Sequence, residues 1–155
     1  MTTPLRRADS VDAAAVADVL IESRRVFMPF LRWVHPPADI RRWVAGYLVP
    51  SGRVQVAEKD GRIVAVLATA EADGCSWIDQ LYVLPGYEAQ GLGSELLAFA
   101  HETLRPPIRL YTFQANAIAR RFYERHGYRA IEFGDGSENE EGCPDVLYER
   151  GAPQH

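Results

Sequence analysis

The spacing of apolar residues changes several times along the chain, and each change marks an element. Leu5 to Ala8 reads as a short first strand. Asp9 or Ser10 can then cap a helix, because either side chain accepts a hydrogen bond from an unpaired backbone N–H. In that helix Ala13, Val16, Ala17 and Leu20 recur at three- and four-residue steps, the spacing of one buried stripe. A second helix is expected to open at Pro37, where a missing N–H costs nothing. Its apolar face is Ile40, Trp43, Val44, Tyr47 and Leu48, with Trp43 expected in the core.

From Val54 the period becomes that of strands. Val54 to Glu58 and Ile63 to Ala70 flank Asp60-Gly61, a pair that tolerates the positive φ angles of a tight hairpin. Trp77 to Leu84 is a third strand, ended by Pro85-Gly86. Leu92, Leu96, Leu97, Ala100 and Leu104 mark a helix stopped by Pro106-Pro107. Ile108 to Thr112 is a strand and Ala117 to Arg125 a helix closed by Gly127. Tyr128 to Phe133 and Val146 to Arg150 supply the last two strands, joined by the acidic loop Gly134 to Pro144. The order β-α-α-β-β-β-α-β-α-β-β predicts an α/β fold, a mixed central sheet flanked by helices with a meander in its first half.

At 155 residues the chain is expected to form a single domain, 1–155. A net charge of -4 offers no basic face for nucleic acid. No stretch approaches the ~20 apolar residues that cross a bilayer, and the first residues lack a signal-peptide core, so a cytoplasmic location is expected. Cys75 and Cys143 do not form a CxxC pair and the histidines are scattered, so free thiols and no metal site are expected.

Chemistry enters with Glu88-Ala89-Gln90-Gly91-Leu92-Gly93-Ser94, a glycine turn between a strand and a helix. Free N–H groups and the positive end of the helix dipole favour an anion there, and glycine lets the backbone come close to it. Two rival phosphate motifs fail by spacing. A dinucleotide fingerprint needs glycine where Leu96 stands, and a P-loop needs lysine between Gly93 and Ser94.

The second segment is more specific. Asn116-Ala117-Ile118-Ala119-Arg120-Arg121-Phe122-Tyr123-Glu124-Arg125-His126-Gly127-Tyr128 resembles the second conserved block of the GNAT N-acetyltransferase family. The glycine turn, 25 residues upstream by the interval Gly91 to Asn116, resembles that family's pyrophosphate motif. Asp79 to Val83 is similar to its central strand, and the resemblance runs from the first strand to the last. One departure stands out: the family usually carries Gln or Arg where this chain has Glu88, a carboxylate that would repel a pyrophosphate, with Gln90 as a compensating amide donor.

The resemblance implies an enzyme that transfers acetyl from acetyl-CoA to a primary amine by direct attack. It implies that backbone groups of Leu81, Tyr82 and Val83 pair with the pantetheine arm, and that Ala89, Gln90, Gly91, Leu92, Gly93 and Ser94 contact the pyrophosphate. It gives Tyr123 the role of general acid, and Asn116 a bond to the pantetheine amide beside its role as a helix cap. A protonated amine must lose a proton before attack. Asp79 is the preferred acceptor of that proton and His35 the second candidate, because a free imidazole titrates in the right range. Strand alternation sets Asp79, Leu81 and Val83 on one face, and a bulge near Leu81 could re-aim them.

For the acceptor pocket, Phe30, Trp33, His35, Glu140 and Glu141 suit a small cationic amine through cation–π and Coulomb attraction. Core packing of the aromatics is the competing reading. Acetylation of a protein N-terminus or lysine, or a non-catalytic acyl-CoA sensor, stays open, as does a homodimer. No nucleic-acid or membrane partner is expected.

Overall fold

The structure, a computed structural model, describes residues 3–151. Its elements follow the expected order. They are β1 (Leu5–Arg7), α1 (Ala13–Phe27), α2 (Pro37–Trp43), β2 (Val54–Lys59), β3 (Arg62–Ala72), β4 (Cys75–Val83), α3 (Leu92–Thr103), β5 (Ile108–Phe113), α4 (Ala117–Arg125), β6 (Arg129–Gly134) and β7 (Asp145–Arg150). They build a seven-stranded sheet in the order β1-β2-β3-β4-β5-β7-β6. The first four strands form an antiparallel meander, and Asp60-Gly61 turns the β2–β3 hairpin with both residues at positive φ. Asp73-Gly74 does the same between β3 and β4, a second Asp-Gly turn of the kind that favours a hairpin.

Six consecutive buried residues, Ile63 to Ala68, show that β3 is covered on both faces. Helices α1 and α3, both packed on β3 and β4, supply that cover. Fully buried Ser23 on α1 donates to the carbonyl of Val83 at 2.9 Å, which pins α1 to the end of β4.

Two strand relationships create the site. Parallel β4 and β5 pair only at Ser76↔Ile108 and Trp77↔Arg109, then diverge. The β3–β4 register steps from Ala68↔Gln80 to Thr69↔Ile78, so Asp79 is the extra residue of a β-bulge. The bulge therefore lies at Asp79 rather than near Leu81. A bulged residue leaves the ladder and its side chain is re-aimed, which takes Asp79 out of the simple alternation with Leu81 and Val83.

Trp43 is not in the core. It is 40% exposed and stacks on Tyr47, itself 66% exposed, at 6.0 Å between ring centroids. Only Val44 and Leu48 of the expected stripe are buried. The backbone widens to a π-turn over Val44–Leu48, which takes the stripe out of the regular helical period.

Near the N-terminus Arg6 grips Asp12 bidentately, at 2.8 and 2.9 Å, and also pairs with Glu58. The guanidinium bonds hold the Asp12 carboxyl down at about 2, although burial opposes them. Because the folded value is depressed, this stabilisation is present above the unfolded carboxylate range and is lost as pH falls through about 2. Arg6 is 42% exposed, so solvent screening reduces the contribution to about 1 kcal/mol. Asp12→Asn should lower the melting temperature at pH 7 and flatten its decline below pH 4, read by calorimetry on both proteins. An unchanged acid limb would remove the pair from the stability balance.

Candidate active site

Where β4 and β5 separate, a cleft of about 630 Å³ opens between them. Ile78 to Val83 (without Gln80) and Leu110 to Phe113 form its two sides, the Tyr87–Ser94 turn (without Gln90) closes one end, and α4 forms a flank. Beyond Trp77 and Arg109 the facing edges of the two strands do not pair with each other. Unpaired strand edges can take the amide groups of an extended ligand as another strand would.

At the turn end Gly91 caps α3 with φ +79 and no side-chain capping bond. The first intrahelical bond here runs from Glu95 N–H to Gly91. The N–H groups of Leu92, Gly93 and Ser94, which precede it, are the free donors that a helix start offers to an anion. Ala89 adopts φ 69, a left-handed conformation that favours glycine, and so tightens the loop. Gly93 fits tightly: a Cβ there would stand 3.3 Å from the Phe122 ring on α4, which would have to shift to admit it. Behind Ser94, its hydroxyl meets His126 Nε2 at 3.2 Å.

Glu88 lies at the cleft, whereas Gln90 departs from the expectation. The Glu88 carboxylate folds back to accept from Gly86 N–H, at 2.9 and 3.2 Å, while still lining the cleft. Gln90 does not line it. Its amide oxygen accepts from the ammonium of Lys59, the lone lysine of the chain, so Gln90 is turned away. Arg121 and Arg125 on α4 do line the cleft, and sequence reasoning passed over both. They stand one helical turn apart on the face that carries Phe122, a spacing visible in the sequence. Two cations beside free N–H donors fit a multiply charged anion despite Glu88.

Tyr123 is 8% exposed and lines the cleft, with its ring edge-on to Phe122 and Tyr128. Its hydroxyl has no hydrogen-bond partner among the described residues, unlike those of Tyr128 and Tyr148. Burial pushes its phenol well above the ordinary value, and the neighbouring Tyr82 and Tyr128 add to this. It therefore stays protonated at neutral pH. Asn116 caps α4 by accepting from Ala119 N–H at 3.2 Å and also lines the cleft.

Asp79 lies on the cleft wall, exposed on one side. Desolvation by the wall raises its carboxyl above the usual range, against the pull of Arg53. Tyr82 also lines the cleft, and burial pushes its phenol up.

The expected acceptor residues come together, but outside the cleft wall. His35 meets Glu140 at 3.1 Å, and Arg32 reaches the Glu140 carbonyl at 3.4 Å. Arg24 lies over the Trp33 ring at 5.1 Å, with Glu141 at 3.8 Å. Phe30, 41% exposed, packs edge-on against Phe113, which does line the cleft. The loop after α1 is thus clasped to the β6–β7 loop at the mouth of the site. Phe30 and Trp33 are partly exposed, not packed into the core.

Comparison with known proteins agrees with this geometry. The family model described as "Acetyltransferase (GNAT) family" matches residues 20–128. The chain is 31% identical to an uncharacterized N-acetyltransferase of Archaeoglobus fulgidus over 147 residues, which span 86% of this chain and 99% of that protein. It is 31% identical over 101 residues to the aminoalkylphosphonate N-acetyltransferase of Salmonella typhimurium, covering 59% of this chain and 66% of that one. Among solved structures, the PaiA N-acetyltransferase of Thermoplasma acidophilum in complex with coenzyme A shares the fold. Its TM-score is 0.75 at 16% identity, over 98% of this chain and 100% of that one.

Proposed function

The chain belongs to the acetyltransferase (GNAT) family and is an acetyl-CoA-dependent N-acetyltransferase, and from that premise we propose that its acceptor is the primary amine of a small molecule. The observation that carries the reading is the β4–β5 splay. It joins an anion-binding turn, an unpaired amide edge and an unpartnered phenol in one cleft.

Acetyl-CoA supplies an activated thioester and a thiol leaving group. In this reading the N–H groups of Leu92, Gly93 and Ser94 and the cations of Arg121 and Arg125 hold its phosphates. The free edge at Leu81 and Val83 takes the pantetheine amides, with Asn116 beside it, while the backbone groups of Tyr82 are turned to Val66 on β3. The Val83 carbonyl is already committed to Ser23, so Val83 would contribute its N–H. Asp79 takes a proton from the acceptor ammonium, the freed amine attacks the thioester carbonyl, and Tyr123 gives a proton to the departing sulfur.

The clasped corner of Phe30, Trp33, His35, Glu140 and Glu141 would receive the acceptor. Its rings and carboxylates suit a cationic group, though Arg24 already offsets part of the negative charge. A small acceptor is further supported by the name of the Salmonella relative, a phosphonate-bearing amine acetyltransferase. The experiment is a screen of diamines, aminoalkylphosphonates, amino acids and peptides, following thiol release from acetyl-CoA. Small amines should outrun peptides by kcat/KM, and the reverse order would overturn the proposal.

One prediction belongs to the departure at Glu88. Glu88→Gln keeps an oxygen acceptor for Gly86 N–H but removes a negative charge from the cleft wall. It should tighten coenzyme A binding about fivefold at low ionic strength, with the gain shrinking as salt screens the charge. Equal dissociation constants at low salt would show that the carboxylate exerts no field on the bound phosphates.

A further inference from the structure

Behind the phosphate turn lies a pair of side chains that phosphate binding alone does not explain. His126, at the C-terminal end of α4, holds two hydrogen bonds at once. Nδ1 lies 2.8 Å from the Phe122 carbonyl, and Nε2 lies 3.2 Å from the Ser94 hydroxyl. A carbonyl oxygen can only accept, so Nδ1 carries a proton. In the neutral imidazole Nε2 is then bare, and the Ser94 hydroxyl must donate to it. Its proton is directed at His126, and the lone pairs of Ser94 are turned toward whatever anion occupies the turn.

Protonation at Nε2 reverses that bond. Nε2–H donates to the Ser94 oxygen, and the Ser94 proton is freed for a phosphate oxygen. The added positive charge lies one side chain behind the anion.

We propose that His126 is a positioning residue for Ser94. Its protonation turns the Ser94 hydroxyl from acceptor to donor toward the pyrophosphate of the donor substrate, so that pyrophosphate binding takes up a proton. The proposal rests on the donor site described above.

The ring cannot drift away from this role. The Phe122 ring packs on it at 4.6 Å between centroids, and Arg150 Nε on β7 bonds the His126 carbonyl at 3.2 Å. The charged or titratable groups around His126 are His101 on α3 and Arg150 on β7, with Glu124 and Arg125 its neighbours in sequence. Glu124 is bound by the Tyr148 hydroxyl at 2.6 Å. His101 is pushed down to about 4 by burial, with Arg150 and His126 adding to this, so it stays neutral across the physiological range.

The sign follows by linkage. A bound anion favours the protonated imidazole and raises its pKa in the complex. The added affinity is present below the value in the free protein and fades as pH rises through the value in the complex.

The test is calorimetric titration with dephospho-coenzyme A, which keeps the pyrophosphate but lacks the ribose monophosphate that itself titrates near pH 6. Titrations at pH 6 and pH 8, in buffers of different ionisation enthalpy, report both affinity and proton uptake. Wild type should bind about fivefold tighter at pH 6 and take up a fraction of a proton. His126→Gln should bind at both pH values with the weaker affinity and no uptake. Ser94→Ala, which leaves the imidazole in place, should keep at most a reduced uptake from charge alone, and it serves if the His126 variant does not fold. Binding by wild type without proton uptake, or the same uptake in His126→Gln, would overturn the inference and leave the donor site standing. No binding by wild type at millimolar ligand would overturn both.

Discussion

Tyr123→Phe should lower kcat by roughly 10- to 10⁴-fold while leaving coenzyme A affinity nearly unchanged. The substitution removes one oxygen that no described residue bonds, from a side chain that is 8% exposed. The ring and its edge-on packing against Phe122 and Tyr128 remain, so folding should be spared. Burial holds the phenol protonated, which makes it a proton donor over the whole working range. An interaction made only as the sulfur departs appears in kcat rather than in binding. A fully active Phe variant would reduce Tyr123 to a packing residue, and a parallel loss of affinity would place its hydroxyl on the donor instead.

Asp79→Asn should cost roughly 10²-fold in kcat/KM and erase the acidic limb of the pH–rate profile. A base acts when deprotonated, so the wild-type rate must fall as pH drops through its titration. Desolvation raises the Asp79 carboxyl, which places this limb above the ordinary carboxylate range. Asparagine cannot titrate, and the residual rate should become flat over the same interval. A profile whose limb survives the Asp79→Asn substitution would pass the role to His35, which the structure sets against Glu140 outside the cleft wall, or to solvent.

The local signals in the sequence were strong enough to place most elements. Helix α4 appears at its expected bounds because Asn116 caps it and Gly127, at φ 89, ends it. The Asp60-Gly61 hairpin likewise follows from two residues that tolerate positive φ. The insertion of β7 between β5 and β6 was not legible, since strand order depends on partners far apart in sequence.

The site was legible in the same uneven way. Tyr123, Asn116, Leu81, Gly91 and Ser94 line the cleft because motif and backbone position coincide there. Gln90 does not, since its orientation is decided by Lys59, a partner 31 residues away. His126 was visible only as a letter in a motif. Its relation to Ser94 exists because Gly93 lets α3 approach Phe122, a contact between two helices that no spacing rule encodes.

The splay between β4 and β5, with the turn at Gly91–Ser94, is where the acetyl donor should bind. Calorimetric titration of coenzyme A into wild type and Gly93→Val tests it most directly. The valine side chain would be driven onto Phe122, where even a Cβ stands at 3.3 Å, and would displace the turn. Wild type should bind with a dissociation constant in the micromolar range, and the variant, checked for folding by its melting curve, should bind at least ~10-fold more weakly. No binding to wild type at millimolar coenzyme A, or equal affinity in a folded Gly93→Val variant, would show that the donor does not bind in this cleft.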